Sequence, residues 1–336
     1  APQEAGFDPA MLCTALDQAQ AANIHSVIVE RHGRLVAEIY RRGPDRSIWS
    51  LFTHDVEFGP KVQHDLRSIS KSVVGLLFGV VNADGRIGEL STPVLNLIPK
   101  ANDLHSPERD QITIEHLLTM SSGLKWEEAL ATYGSLANDE THLFWAWSHD
   151  RYALNRAVVA TPGTKFNYNG GTVTVLSNIV SRSAQMSLRD LARTKLFEPL
   201  GISDWKWIGD VYGRPLAFAG LRMRPRDLVK LGRLLLDHGQ WRGNQIVPAK
   251  WVDESLRPHI PIPNGLQYGY LWWTGTVDHG GRKLGWAAGF GNGGQRLFVV
   301  PELDMAVVVT AGAYNQAGIL DVLQGLFAGI VAAAHD

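Results

Sequence analysis

From Val73 to Val81 almost every side chain is apolar, while polar residues crowd the stretch just before, Arg67-Ser-Ile-Ser-Lys-Ser72. Such a run leaves no face for water. Residues 65–82 are therefore predicted to form a helix that passes through the core, with its polar residues gathered at the start. Asp8 followed by Pro9 marks another helix start, a cap and then a ring that suits the first turn, for a helix reaching about residue 22. The period then changes to two. Residues 25–31 and 34–41 are rich in Val and Ile and meet at His32-Gly33, the pattern of a β-hairpin, with His32 a neighbour of the turn. Residues 43–63 show neither period and are expected to be irregular.

From Asp84-Gly85 to about residue 210 the chain reads as mostly helical with long polar loops. Thr113 caps a short helix over 114–120 that Gly123 ends, and amphipathic stretches follow at 172–183, 187–197 and 225–238. Strand character returns around 268–273 and continues at 282–286, 295–300 and 305–310, before a closing helix over 317–334. Between the first two of the last three strands lies Ala287-Ala-Gly-Phe-Gly-Asn-Gly-Gly294, with four glycines in six residues. The backbone there either approaches something closely or turns sharply, as in a bulge or hairpin. The strands at the two ends of the chain can share one antiparallel sheet only if the ends meet. The expected fold class is therefore α/β (α+β), with a discontinuous α/β lobe (1–67 and 215–336), a mainly helical lobe (68–214) and a cleft between them at Ser68.

The chain has 336 residues, 45% of them hydrophobic and 19% charged, enough for a large core in one or two lobes. A formal net charge of -1 without charge blocks gives no footprint for nucleic acid or an anionic membrane, and no apolar run reaches the length of a membrane span. A small molecule is the expected partner; the oligomeric state stays open. The single cysteine, Cys13, rules out an internal disulfide and is placed by the helical period with Leu12 and Leu16 in packing. The twelve histidines contain no His-Glu-x-x-His, so no metal or other cofactor is expected. Gly289, Gly291 and Gly294 spell Gly-x-Gly-x-x-Gly, but a strand follows and no helix N-terminus is offered to a pyrophosphate. No Gly-x-Ser-x-Gly elbow occurs. The chain starts at Ala1 rather than Met, which fits removal of a leading segment and leaves a periplasmic or secreted and a cytoplasmic location both open.

Ser-x-x-Lys occurs three times, as Ser68/Lys71, Ser122/Lys125 and Ser203/Lys206. Only the first opens a buried helix. Three-residue spacing puts Ser68 and Lys71 on one helical face, where the amine can take the hydroxyl proton. Apolar surroundings and the positive end of the helix are expected to leave Lys71 neutral. The competing reading is an N-terminal cap with a solvated lysine. Tyr168 is delivered by the loop 161–171 just before a helix; it is either a proton carrier or a tyrosine packed and bonded locally. The stretch 126–152 sets Trp126, Tyr133, Phe144, Trp145 and Trp147 among polar residues. It is a packed helical insertion or the lining of an acyl or amide pocket, in which Tyr133 and Trp145 would touch substrate.

Several separated stretches resemble one family, the serine β-lactamase and penicillin-binding-protein superfamily, and within it the class C-like esterases and 6-aminohexanoate-oligomer hydrolases. The likeness runs through Ser26 to Arg42, His64-Asp-Leu-Arg-Ser-Ile-Ser-Lys71, Ile112 to Gly123, Pro162 to Gly171, Gly220 to Gly232 and Gly293 to Pro301. It implies a β-lactamase/transpeptidase-like fold with Ser68 as the acylated nucleophile, Lys71 as its base partner and Tyr168 as the tyrosine of the second motif. The backbone N–H groups of Ser68 and Phe290 would form the oxyanion hole. Asn169, Gly170, Gly289, Gly291 and Asn292 would contact substrate.

Two departures from the family pattern matter. The second motif is normally Tyr-x-Asn, whereas Tyr168-Asn169 is followed by Gly170; the third, Lys-Thr-Gly or His-x-Gly, is matched by Ala287-Ala288-Gly289. Without a cation there, a substrate carboxylate would be left unpaired. The resemblance thus implies a serine hydrolase of carboxylic esters and linear amides, with β-lactamase or D-alanyl-D-alanine carboxypeptidase activity and a non-catalytic binding module as the alternatives. No separate carboxylate base is identifiable, so Lys71 and Tyr168 would also activate the water.

Overall fold

The computed structural model describes residues 1–335. Its centre is an eight-stranded antiparallel sheet in the order Ile260–Pro261, Gln267–Tyr268, Trp273–His279, Arg282–Gly291, Gln295–Val300, Met305–Ala311, Ile24–Arg31, Arg34–Tyr40. The two ends of the chain meet where Ile24–Arg31 pairs with Met305–Ala311, Val27 opposite Val309 and Val29 opposite Val307. Alternation along each strand explains the layers on either face. Val27, Val29, Phe298, Val300, Val307 and Val309 share one core with the helices Pro9–Asp17 and Ile319–Ala332. Ile28, Leu297, Val299, Ala306 and Val308 point the other way, into a core shared with the helices Ile69–Val81 and Pro225–Leu236.

The apolar run behaves as its pattern requires. In Ile69–Val81 every residue except Val80 is buried. The helix packs against Gly170–Ala184 on one side and approaches the strand Arg282–Gly291 on another. Among the described residues no helix is long and apolar enough to cross a membrane.

Four local expectations need correction. The segment expected to be irregular contains two short paired strands, Arg42–Asp45 and His54–Glu57. The first helix stops as α-helix at Asp17 and continues as a 3-10 turn, and Cys13 lies on its exposed side rather than in packing. The short helix after Thr113 ends at Leu118, with Met120 rather than Gly123 as the first residue beyond it in left-handed backbone. The strand expected to end at 286 runs on through the glycine-rich stretch to Gly291, and the turn follows at Asn292-Gly-Gly294, with φ of 92° at Gly293 and 101° at Gly294. The period of two was hidden there because glycines and alanines carry no hydrophobic contrast.

Candidate active site

Ser68 stands at the N-cap of Ile69–Val81, yet its side chain makes no capping bond. It accepts instead from Lys71 Nζ at 2.9 Å. The turn leading in uses Arg67 with φ of 50°, and the N–H groups of Ile69, Ser70 and Lys71 go to the carbonyls of Leu66, Arg67 and Ser68. The Ser68 N–H is not among those taken up by the turn. Lys71 is 1% exposed. Besides Ser68 it reaches Glu140 Oε2 at 2.9 Å, the Phe218 carbonyl at 3.1 Å and Glu128 Oε1 at 3.3 Å. The cap-and-solvated-lysine reading is excluded by this burial.

The expectation of a neutral Lys71 is corrected as well. Burial pulls its basicity down, but the Glu128 and Glu140 carboxylates together raise it above the ordinary lysine value. Lys71 is therefore an ammonium at rest. Glu140 is pushed well above the usual carboxylate range, first by burial and then by Glu128, against the opposing pull of Lys71. Glu128 accepts from Trp126 Nε1 at 2.8 Å, the Gly170 N–H at 2.7 Å, Lys71 at 3.3 Å and the Tyr133 hydroxyl at 3.4 Å. The raised values of Lys71 and Glu140 thus belong to one cluster, an ammonium facing two neighbouring carboxyl groups of which Glu140 is the one driven toward its protonated form.

Both glutamates escaped the sequence reading because they lie in the aromatic stretch without period. A signal was present in the second motif. A Cβ on Gly170 would stand 2.8 Å from Glu140 Oε2 and 3.2 Å from Glu128 Oε2, so the absent asparagine is the space that the carboxylates occupy.

Tyr168 is buried with Lys71 Nζ 4.8 Å from its ring centre. Its phenol is held above the ordinary value, mainly by burial, while Lys71 and the Ser68 hydroxyl act to lower it. At rest Tyr168 is a neutral phenol. Ser68, Lys71 and Tyr168 are thus brought together, and Tyr133 joins them through Glu128.

Two cavities meet at Ser68, sharing Thr132, Tyr133, Asn292 and Asn315 as well. The first, of 590 Å³, extends past Trp49, Phe144 and Trp145; the second, of 810 Å³, past Tyr168, Trp273, Phe290 and Gly291. Asn292 lines both, but its Oδ1 accepts the Asn315 N–H at 3.0 Å and its Nδ2 donates to Asn315 Oδ1 at 3.1 Å. Asn315 in turn donates to the Tyr133 carbonyl at 3.2 Å, so a polar bridge crosses between the two cavities.

Three expected substrate contacts are corrected. Asn169 is buried and its Oδ1 caps the helix Gly170–Ala184 by accepting the Thr172 N–H at 3.1 Å. Gly170 faces the glutamates rather than a cavity. Gly289 is packed against the helix Ile69–Val81, where a Cβ would lie 3.2 Å from Ile69 Cγ2 and 3.3 Å from Ser72 Oγ. Gly291 lines the second cavity and is nearer still, since a Cβ there would stand 2.4 Å from the Leu66 carbonyl oxygen. These glycines let the strand that ends in Phe290-Gly291 lie directly on the start of the helix. No cation occupies the third motif, but Arg296, opposite Phe290 on the next strand, lines the second cavity. Its guanidinium lies 4.2 Å from the Phe290 ring centre and donates to the Gln295 and Gly291 carbonyls at 2.8 and 3.3 Å.

A mixed fold with a serine–lysine pair at the start of a buried helix defines a hydrolase of the β-lactamase fold. The profile of the Beta-lactamase family matches residues 18–319, and the chain belongs to that family. It is 26% identical over 300 residues to a 6-aminohexanoate-dimer hydrolase of Paenarthrobacter ureafaciens, covering 84% of this chain and 70% of the relative. Among solved structures it resembles a Bacillus anthracis protein provisionally named 6-aminohexanoate-dimer hydrolase, with a TM-score of 0.77 at 20% identity over 94% of this chain and 81% of the other. It also resembles EstCE1, described as a hydrolase with promiscuous acyltransferase activity, with a TM-score of 0.69 at 16% identity over 95% and 98% of the two chains.

Proposed function

We propose that the protein hydrolyses carboxylic esters and linear amides through a covalent acyl-enzyme on Ser68. The observation that carries this reading is the 2.9 Å contact between Lys71 Nζ and Ser68 Oγ where two cavities join. One cavity can take the acyl part and the other the leaving group. The ester and amide classes are supported by the hydrolase names of the relatives and by the aromatic side chains in both walls, Trp49, Phe144 and Trp145 in one and Trp273 and Phe290 in the other.

Because Lys71 rests as an ammonium, it must lose a proton before it can accept one. The ionised carboxylate of the Glu128–Glu140 pair is in hydrogen-bond reach to take it, so the Ser68 proton moves to Lys71 as Lys71 gives one to the pair. Ser68 Oγ then bonds to the carbonyl carbon, and the oxyanion is stabilised by the N–H groups of Ser68 and Phe290. Collapse breaks the bond to the leaving oxygen or nitrogen, which takes a proton from Tyr168 or Lys71. Water repeats the sequence on the acyl-enzyme and releases the acid, restoring Ser68.

A second reading, a substrate bearing a carboxylate such as a β-lactam or a peptide end, is favoured by Arg296 in the wall of the second cavity. Its guanidinium is already engaged by two carbonyls and a ring, which places it second. The test is intact-protein mass spectrometry after brief exposure to p-nitrophenyl butyrate, with absorbance followed for turnover. A transient acyl adduct and steady nitrophenol release, both lost in Ser68→Ala, are the expected result. No adduct and no release from folded protein, with rapid opening of a chromogenic cephalosporin, would replace the ester reading by the second one.

A further inference from the structure

On the far side of the turn into Ser68 lies a second buried polar cluster. His25, on the strand Ile24–Arg31, and His64, four residues before the nucleophile, are fully buried, and Asp45 nearly so. Their ring nitrogens His25 Nδ1 and His64 Nε2 are 2.8 Å apart, and Asp45 Oδ1 is 3.8 Å from His64 Nε2. One potential ligand atom from each of the three lies within 4.8 Å of the others.

The outer nitrogens settle the protonation. His64 Nδ1 lies 2.9 Å from the Asp65 carbonyl, which only accepts, so Nδ1 carries the hydrogen. Asn23 donates through Nδ2 to the Pro44 carbonyl at 2.8 Å, which turns its Oδ1 toward His25 Nε2 at 2.9 Å, so that nitrogen carries a hydrogen too. In the neutral rings, Nδ1 of His25 and Nε2 of His64 then face each other as bare lone pairs. That contact is repulsive unless a cation joins them.

The surroundings are built around this arrangement. Phe58 stacks on His25 with ring centres 4.1 Å apart. A Cβ on Gly43 would stand 2.5 Å from Asn23 Oδ1, and one on Gly312 2.6 Å from His25 Cε1. The Tyr314 hydroxyl donates to Asp45 Oδ1 at 2.7 Å. Rings whose outer N–H groups are held by oxygen acceptors, and whose inner nitrogens converge beside an anchored carboxylate, have the second shell of a metal-ligating histidine pair.

We propose that His25, His64 and Asp45 bind one divalent transition-metal ion of the zinc class. At an N–metal distance of about 2.1 Å the two nitrogens would occupy neighbouring coordination positions, and the Asp45 carboxylate would become the third ligand by a small inward shift, because the ligand atoms now spread to 4.8 Å. Such an ion ties the sheet and the strand Arg42–Asp45 to the short strand His64–Asp65 that feeds Ser68.

The test is titration of the intact protein, dialysed free of metal, with Co2+ followed by visible absorption, then with Zn2+ in competition and by thermal melting. The expected result is one Co2+ per chain with a saturable ligand-field band, displacement by Zn2+ and a higher melting temperature. Asp45→Asn, which keeps the side chain's shape, should weaken binding about tenfold or more, and His25→Gln should abolish the band. If both variants keep the band, the ion sits on surface histidines and the proposal fails. If the native protein stays folded but shows no band and no shift in melting, the proposal also fails; a ring 15N spectrum with one proton shared by His25 and His64 would then name the cation that joins them.

Discussion

The two walls of the Ser68 cleft are built on different terms. On the sheet side, the backbone itself makes the contact, with Gly289 tight against Ile69 and Ser72 and Gly291 so near the Leu66 carbonyl that no Cβ fits. On the loop side, contact is made by long side chains, several of which face water: Leu130 is 92% exposed and Trp145 51%. The first wall has almost no freedom to change without moving the nucleophile. The second can change residue by residue at little cost to the fold, so on the proposed function the sheet wall is expected to fix the position of the oxyanion and the loop wall to adjust substrate choice.

The largest effect should come from removing the nucleophile that both walls serve. Ser68→Ala is expected to lower ester turnover by about four orders of magnitude or more while leaving the melting temperature within a degree or two of native, measured by nitrophenol release and calorimetry. Lys71→Met tests the charge cluster behind the walls. Removing the ammonium leaves a buried carboxylate without its partner, at a cost of about 3 kcal/mol near neutral pH. The sign of its pH dependence follows from Glu140, whose folded value is already raised by burial and by Glu128. Without Lys71 the Glu140 carboxyl loses an opposing pull and its folded value rises further, so stability is fully present below the ordinary carboxylate range and is lost as pH rises from there toward the raised folded value. A melting temperature for Lys71→Met that does not recover on acidification, relative to native, would show that the pair carries no such charge.

The comparison of walls is tested directly by one change in each. Gly291→Ala puts a Cβ 2.4 Å from the Leu66 carbonyl oxygen, so strand and helix must part, and kcat/KM should drop about 100-fold from misplacement alone. Trp145→Ala should change KM by less than about tenfold, differently for short and long acyl chains, and leave kcat nearly unchanged. Equal losses from the two variants in kcat would erase the distinction.

What the sequence could disclose follows the same division. The helix Ile69–Val81 and the strands Ile24–Arg31 and Met305–Ala311 were legible because burial on all sides, or on alternate sides, writes a period into the chain. Ser68, Lys71 and Tyr168 were legible because short-range spacing and the family motifs mark them. Glu128 and Glu140 were not, since their partnership with Lys71 spans 57 and 69 residues and is made by folding alone. The neutral-lysine expectation failed for that reason, because an apolar sequence neighbourhood says nothing of what the rest of the chain brings to the amine. His25 and His64 were illegible in the same way, 39 residues apart and each unremarkable on its strand.

The meeting of the chain ends has a consequence for the order of assembly. Ile24–Arg31 has its partner Arg34–Tyr40 close by in sequence, but its other edge waits for Met305–Ala311. During synthesis the helix Ile69–Val81 leaves the ribosome well before the strand that must lie against it, Arg282–Gly291, and the strands that fasten that one into the sheet. Ser68 and Lys71 can therefore be present on a nascent chain long before that strand is, and the proposed acyl transfer should begin only after Met305–Ala311 has emerged.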